Sequence, residues 1–190
     1  MEPTDDVLAL HSRAKAIAQR VIDGIPPERL TAPTPCTEWD VRALLNHLIG
    51  FNRLVAANAE GQEIPDRAEA DFVGDDPSAN FAAASRDAEA VLRAPDGLER
   101  TYHLPWGEMP GALVAQSLFA DSMIHSWDLA KATGQPTALD PELCEAVLAW
   151  GRTVMRDEYR QAAGAFGPEV AVPPEAPVCD RLAAFYGRQT

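Results

Sequence analysis

The chain has 190 residues, enough for one domain with a core of its own. Its 16 Lys and Arg stand against 29 Asp and Glu, a net charge of −13 that repels phosphates and anionic lipids. That balance excludes general nucleic-acid binding and polybasic membrane attachment. With 46% apolar residues the chain is no disordered tail, yet no run approaches the roughly 20 apolar residues of a spanning helix.

The N-terminus lacks a basic region followed by an apolar run, so no signal peptide is expected. Cys36, Cys144 and Cys179 sit far apart and fit neither a paired-disulfide framework nor a CxxC metal clip. The expectation is a reduced, cytoplasmic protein.

In chain order, Thr4 is placed to cap a first helix. Val7, Leu8, His11, Ala14, Ala18, Val21 and Ile22 follow at helical spacing, and Gly24 with Pro26 and Pro27 ends it. Thr31 to Cys36 carries two prolines and reads as extended or turned. Thr37 then caps a helix over about 38–60, with Asp40 in the capping-box position. Its apolar stripe is Val41, Leu44, Leu45, Leu48, Phe51, Leu54 and Val55.

Gly61 to Pro77 is polar and acidic, and at about 17 residues it suggests a crossover or mobile flap. Ser78 starts a third helix with Phe81, Ala84, Ala88, Val91 and Leu92 on one face. The β-friendly Thr101–Leu104 followed by Pro105-Trp106-Gly107-Glu108 predicts an extended segment or small hairpin. From about 110 to 133 runs the strongest helical pattern, with Leu113, Val114, Leu118, Met123, Ile124, Trp127 and Leu129, and Gly134 as its C-cap. Asp140 and Pro141 open another helix to about Tyr159. A proline-rich stretch over 164–177 is expected to lie extended, and a short helix over about 178–187 closes the chain. Four principal helices predict an all-α bundle in a single domain spanning 1–190.

Asp121 and His125 are one helical turn apart on the strongest helix, and Asp128 continues that face. His47 sits among Leu44 and Phe51 and points inward. A carboxylate and two imidazoles from facing helices form a metal-binding set with open positions. The same residues also suit an ordinary helix pair and a hydrogen-bonded core histidine, and pattern alone leaves both readings open. Asp128 is placed to orient a ligand imidazole, to act as a base, or to make a plain structural hydrogen bond. His11 reads as core, His103 as solvated, Cys36 as a buried inert thiol, and Trp39, Trp106, Trp127 and Trp150 as core or pocket wall.

The segment PTPCTEWDVRALLNHLIG (33–50) resembles the opening motif of the DinB-like proteins of actinobacteria. More closely, it resembles the N-terminal domain of mycothiol-dependent maleylpyruvate isomerases. ADSMIHSWDLAKATGQP (120–136) is similar to that family's acid-x-x-x-His-x-Trp-Asp-Leu-Ala segment. LPWGEMPGALV (104–114) and FGPEVAVPPEAPVCDRLAAFYGR (166–188) resemble a metal-binding subfamily of short members. The resemblance implies a DinB-like four-helix bundle with additional C-terminal helices, holding one divalent metal on His47, Asp121 and His125. Zinc is the expected ion, with nickel, iron and manganese compatible with the same donors. Two departures stand out: Asp121 occupies a position where the isomerases have Glu, and their extra C-terminal domain has no counterpart here.

Three functions follow. The first is a metal-dependent transferase or isomerase using a low-molecular-weight thiol such as mycothiol. The second is a metallohydrolase with Asp128 as the nearby base, and the third a non-enzymatic metal- or ligand-binding bundle. Expected partners are a small-molecule substrate or thiol, with no nucleic acid and no membrane, and a second copy of the chain in a homodimer.

Overall fold

A computed structural model describes residues 3–37, 39–65, 70–156, 159–160 and 166–190, with side chains from residue 7 onward. It is mostly helical with one two-stranded antiparallel hairpin. The elements are α1 (Pro3–Asp23), a 3-10 turn (Pro27–Arg29), α2 (Val41–Ala59), α3 (Pro77–Leu92), β1 (Thr101–Leu104), β2 (Gly107–Pro110), α4 (Gly111–Thr133), α5 (Pro141–Val154) and α6 (Val178–Phe185). None of the described helices is long and apolar enough to cross a membrane. The contacts sort into two compact units, Met1–Gln19 with Leu45–Ser122, and Arg20–Leu44 with Met123–Thr190.

In the first unit, the stripes read from the sequence do pack. Val7 and Leu8 of α1, Phe51 and Val55 of α2, Ala88 and Leu92 of α3, and Val114 and Leu118 of α4 are buried in one cluster with Tyr102 and Leu104 of β1. The hairpin alternates as a half-buried strand should: Tyr102 and Leu104 point in, Thr101 and His103 out. Pairing of Tyr102 with Met109 and of Leu104 with Gly107 leaves Pro105 and Trp106 as the turn. Asn58 of α2 fastens β1 by accepting from the His103 N–H at 3.0 Å and donating to its carbonyl at 2.7 Å.

Asn46 does the same for the long connection before α3. It donates to the Ala70 carbonyl at 2.9 Å and accepts from Phe72 N–H at 2.7 Å, and Phe72 and Val73 are buried. The described end of that connection is therefore pinned to α2. Of the expected flap, residues 66–69 lie outside the described residues, as does the side chain of the expected cap Thr4. Helix α3 begins at Pro77 rather than Ser78, because Asp76 is the cap and accepts from Ala79 N–H.

In the second unit, residues 30–42 close on themselves. Pro33 bridges Asp40, Val41 N–H donates to Ala32, and Thr34 Oγ1 donates to the Trp39 carbonyl at 2.7 Å while accepting from Cys36 N–H. This closure moves the start of α2. The cap is Asp40, whose Oδ1 accepts from Ala43 N–H at 2.8 Å, and not Thr37, because the chain bends and turns at 35–37 and Asp40 still pairs with Pro33 before the helix starts. Helix α4 ends at Gly134 (φ 76°), with Gln135 N–H closing back on Ala130 at 2.8 Å. Helix α5 starts on the expected Asp140 cap but stops at Val154, short of Tyr159, where Met155 turns to an extended conformation.

The cysteine expectation is overturned. Cys144 of α5 and Cys179 of α6 form a disulfide, while Cys36 stands outside that pair and is buried as expected. The two cysteines are 35 residues apart in sequence, yet their Cα atoms lie 5.3 Å apart. Seven residues beyond each cysteine, Gly151 lies against Tyr186, so the helices run side by side in the same direction. Two aromatic and apolar positions also differ from the core reading: Trp106 at the hairpin turn is 50% exposed, and Leu113 in the first turn of α4 is exposed too.

Candidate metal centre

Helix α2 presents His47 and helix α4 presents Asp121 and His125. Their candidate ligand atoms all lie within 4.8 Å of one another. Donors bonded to one tetrahedral ion at about 2.0–2.2 Å lie about 3.3–3.6 Å apart, so closure on an ion asks for side-chain shifts of up to about 1.5 Å. His47 Nε2 already meets Asp121 Oδ1 at 3.0 Å. The short arm of Asp121 thus reaches the imidazole directly. The side chains of His47 and Asp121 keep 20% and 16% of their surface open, while His125 is buried. A small ligand can approach from the open side, and the donor set of two imidazoles and one carboxylate fits a first-row divalent ion.

Two aromatic rings flank the histidines. The Trp39 ring stands 5.9 Å from that of His125, placed there by the closed loop before α2. The Phe51 ring, one helical turn beyond His47, lies 6.5 Å from it and in turn meets Trp106 edge-on at 5.5 Å. Trp39 therefore stands beside His125 and Trp106 against Phe51, while Trp127 is core and anchors α6 through an Nε1–H bond to Asp180 Oδ1 at 2.9 Å.

Behind His125 is a buried ionic cluster. His125 Nδ1 lies 2.9 Å from Asp128 Oδ2. Arg188 donates to the same carboxylate, from Nε to Oδ1 at 3.1 Å and from Nη2 to Oδ2 at 3.0 Å. Asp128 is wholly buried and Arg188 nearly so. Burial alone would raise the Asp128 carboxyl, but the hydrogen bonds and charges of His125 and Arg188 outweigh it and hold the group below the usual carboxylate range. Of the roles read for Asp128, the structure gives the hydrogen bond to the His125 imidazole. Arg188 escaped the sequence reading, since 60 residues separate it from Asp128. The one available signal was an arginine directly after Tyr186-Gly187, where a glycine stop returns the chain toward its helix.

The other flagged residues lie elsewhere. His103 is exposed and pairs with Glu108 across the hairpin at 3.2 Å. His11 is buried in α1 beside a network in which Glu89 takes Ser12, Lys15 and Arg93.

The profile of the family described as mycothiol maleylpyruvate isomerase N-terminal domain matches residues 11–130, a span holding all three candidate ligands. Two curated relatives, both named as uncharacterized proteins and both from strains of Mycobacterium tuberculosis, are each 36% identical over 183 residues. Those alignments cover 96% of this chain and 98% of each relative. No solved structure matches the chain.

Proposed function

Because the chain belongs to the mycothiol maleylpyruvate isomerase N-terminal domain family, we propose that it is a divalent-metal-dependent thiol transferase or isomerase of the mycothiol type, a single DinB-like four-helix bundle whose ion is held by His47, Asp121 and His125. The observation that carries this reading is the convergence of those three donors from two helices, two of them still open to a ligand. When bound, a divalent ion at that position supplies the Lewis acidity that turns a thiol into a thiolate near neutral pH.

The protein's own residues set the conditions. His125 forms the buried wall of the donor set and cannot swing away, because Asp128 grips its Nδ1 and Trp39 lies beside its ring. His47 and Asp121 form the open edge by which a small molecule enters. The Phe51 ring, 6.5 Å from that of His47, gives the open edge an apolar neighbour that favours an electrophile with a flat or apolar part. The hydrolase reading asks for a free base, and Asp128, engaged by both His125 and Arg188 and shut from solvent, is poorly placed for that role.

The test starts with metal analysis of protein purified without a metal-binding tag. We expect one equivalent of a divalent ion in the parent and in His103→Ala. His125→Ala removes one of three protein ligands and should lower affinity by at least the roughly 10–100-fold that outer-shell losses cost. Full, unchanged binding by His125→Ala refutes the site. Turnover of mycothiol with a panel of electrophiles supports the transferase or isomerase reading. Hydrolysis without thiol would replace it with the second reading, and metal binding with neither activity with the third.

A further inference from the structure

The cluster behind His125 is larger than a ligand needs for mere support, and its far end comes from the last turn of the described chain. A carboxylate buried beside a single imidazole has two ways to satisfy itself: it can accept the Nδ1 hydrogen, or carry the proton itself and present it to Nδ1. Which one holds decides whether Nε2 carries a lone pair or a hydrogen. Arg188 settles the choice. Its guanidinium stays charged and lies side-on to Asp128 with two bonds at 3.0 and 3.1 Å, and its third nitrogen is tied to the Tyr186 carbonyl at 2.8 Å. Beside that fixed cation Asp128 is an acceptor only, so the hydrogen of the 2.9 Å contact sits on Nδ1 of His125.

We propose that Arg188 is a positioning residue for this site: through Asp128 it fixes His125 in the Nδ1–H tautomer, leaving the Nε2 lone pair for a ligand-seeking cation. The cation half rests on the function proposed above, whereas the tautomer half stands on this geometry alone. The backbone explains how a residue so near the end of the chain is held. Gly187 follows α6 with φ 90°, and Arg188 N–H returns to the Ala183 carbonyl at 3.0 Å. A Cβ at 187 would lie 2.5 Å from the Gly167 Cα, so both conformation and space call for glycine there. The Cys144–Cys179 disulfide fastens the start of the same helix to α5.

The experiment reads imidazole tautomers directly, by long-range proton–nitrogen NMR of ion-free protein labelled with nitrogen-15 in histidine, at one neutral pH. The parent should show His125 as the Nδ1–H form. Arg188→Gln should lose that preference and bind zinc about 10–100-fold more weakly, and Arg188→Lys, which keeps the charge without the fork, should recover part of both. A residue that only braces the fold would lower the melting temperature and leave the tautomer alone. An Nε2–H form in the parent overturns the proposal even if the variants do not fold. So does an Arg188→Gln protein that keeps the Nδ1–H form and binds zinc within threefold of the parent. A parent that binds no zinc sinks the metal reading instead, and the tautomer measurement still decides the role of Arg188.

Discussion

Acidification should destabilise this protein through one histidine far from the proposed ion. His11 is 1% exposed, and neither ring nitrogen has a hydrogen-bond partner among the described residues. Burial pushes its pKa down from 6.5 to about 4; the Glu89 carboxylate pulls upward, and Lys15 and Arg93 push further down. The folded protein therefore keeps His11 neutral where the unfolded chain would protonate it. Its contribution is complete above about pH 6.5 and is lost as the pH falls toward 4, because there the unfolded state binds the extra proton. That gap is worth about 3 kcal/mol. For a chain of this length it corresponds to a melting temperature lower by about 6–12 °C at pH 4 than at pH 7 from this residue alone. His11→Leu keeps the volume and removes the titration, so its melting curve should flatten across that window relative to the parent. Glu89 does not confuse the result. Desolvation would raise its carboxyl, but its bonds to Lys15, Ser12 and Arg93 take it from 4.5 down to about 2, so its stabilisation is present above about pH 4.5 and fades below that. Thermal melts of both proteins between pH 7 and 4.5 make the comparison. Parallel curves would mean that His11 is protonated in the fold or open to solvent, and the burial argument would fail.

Two further outcomes follow from local structure. Asp40→Ala removes the α2 cap and should cost about 1 kcal/mol, a fall of about 2–4 °C in melting temperature, whereas Thr37→Ala should leave the melt in place; the reverse ranking would restore Thr37 as the cap. Reducing the disulfide, or replacing both partners with Cys144→Ser and Cys179→Ser, should cost about 3–4 kcal/mol by chain entropy for a loop of this size, read from the denaturant midpoint. Thiol titration of the denatured, unreduced protein should find one reactive group, Cys36, and three would refute the pairing.

What could be read from the sequence tracks the range of the interaction that fixes it. The stripes of α2 and α4 were legible because two or more turns repeat the same 3.6-residue spacing, which the single interior glycine of α2, Gly50, leaves in phase. Asp140 and Gly134 were legible because a cap is decided within four residues. The start of α2 was not, because the bridge between Pro33 and Asp40 overrides a local signal at Thr37. The disulfide was hidden because its register belongs to the packing of α5 on α6, which neither helix reveals alone. Among the candidate ligands, Asp121 and His125 follow from helical spacing. His47 joins them from 74 residues away: its place on the apolar face of α2 made it a candidate, and the resemblance to a known family favoured that reading over a hydrogen-bonded core histidine.

The middle of α4 shows why these residues are better explained by chemistry than by stability. Around Phe119, Met123, Trp127 and Leu129, all buried, the helix sets Asp121, His125 and Asp128 along one side. Burying charged groups is unfavourable unless each finds a partner, and apolar residues of similar size commonly serve stability as well or better. Each of the three has its partner from another part of the chain or is offered to a ligand: Asp121 meets His47, Asp128 meets Arg188, and His125 is held at Nδ1 with its other nitrogen turned to the donor set. A helix pair selected for solvation would put such residues at the surface, as Arg86 and Asp87 are. Here His125 and Asp128 are buried and Asp121 lies at the edge, and the partner that fixes the last member is Arg188, 60 residues further along the chain. That arrangement is costly for folding and suited to holding one imidazole in one orientation.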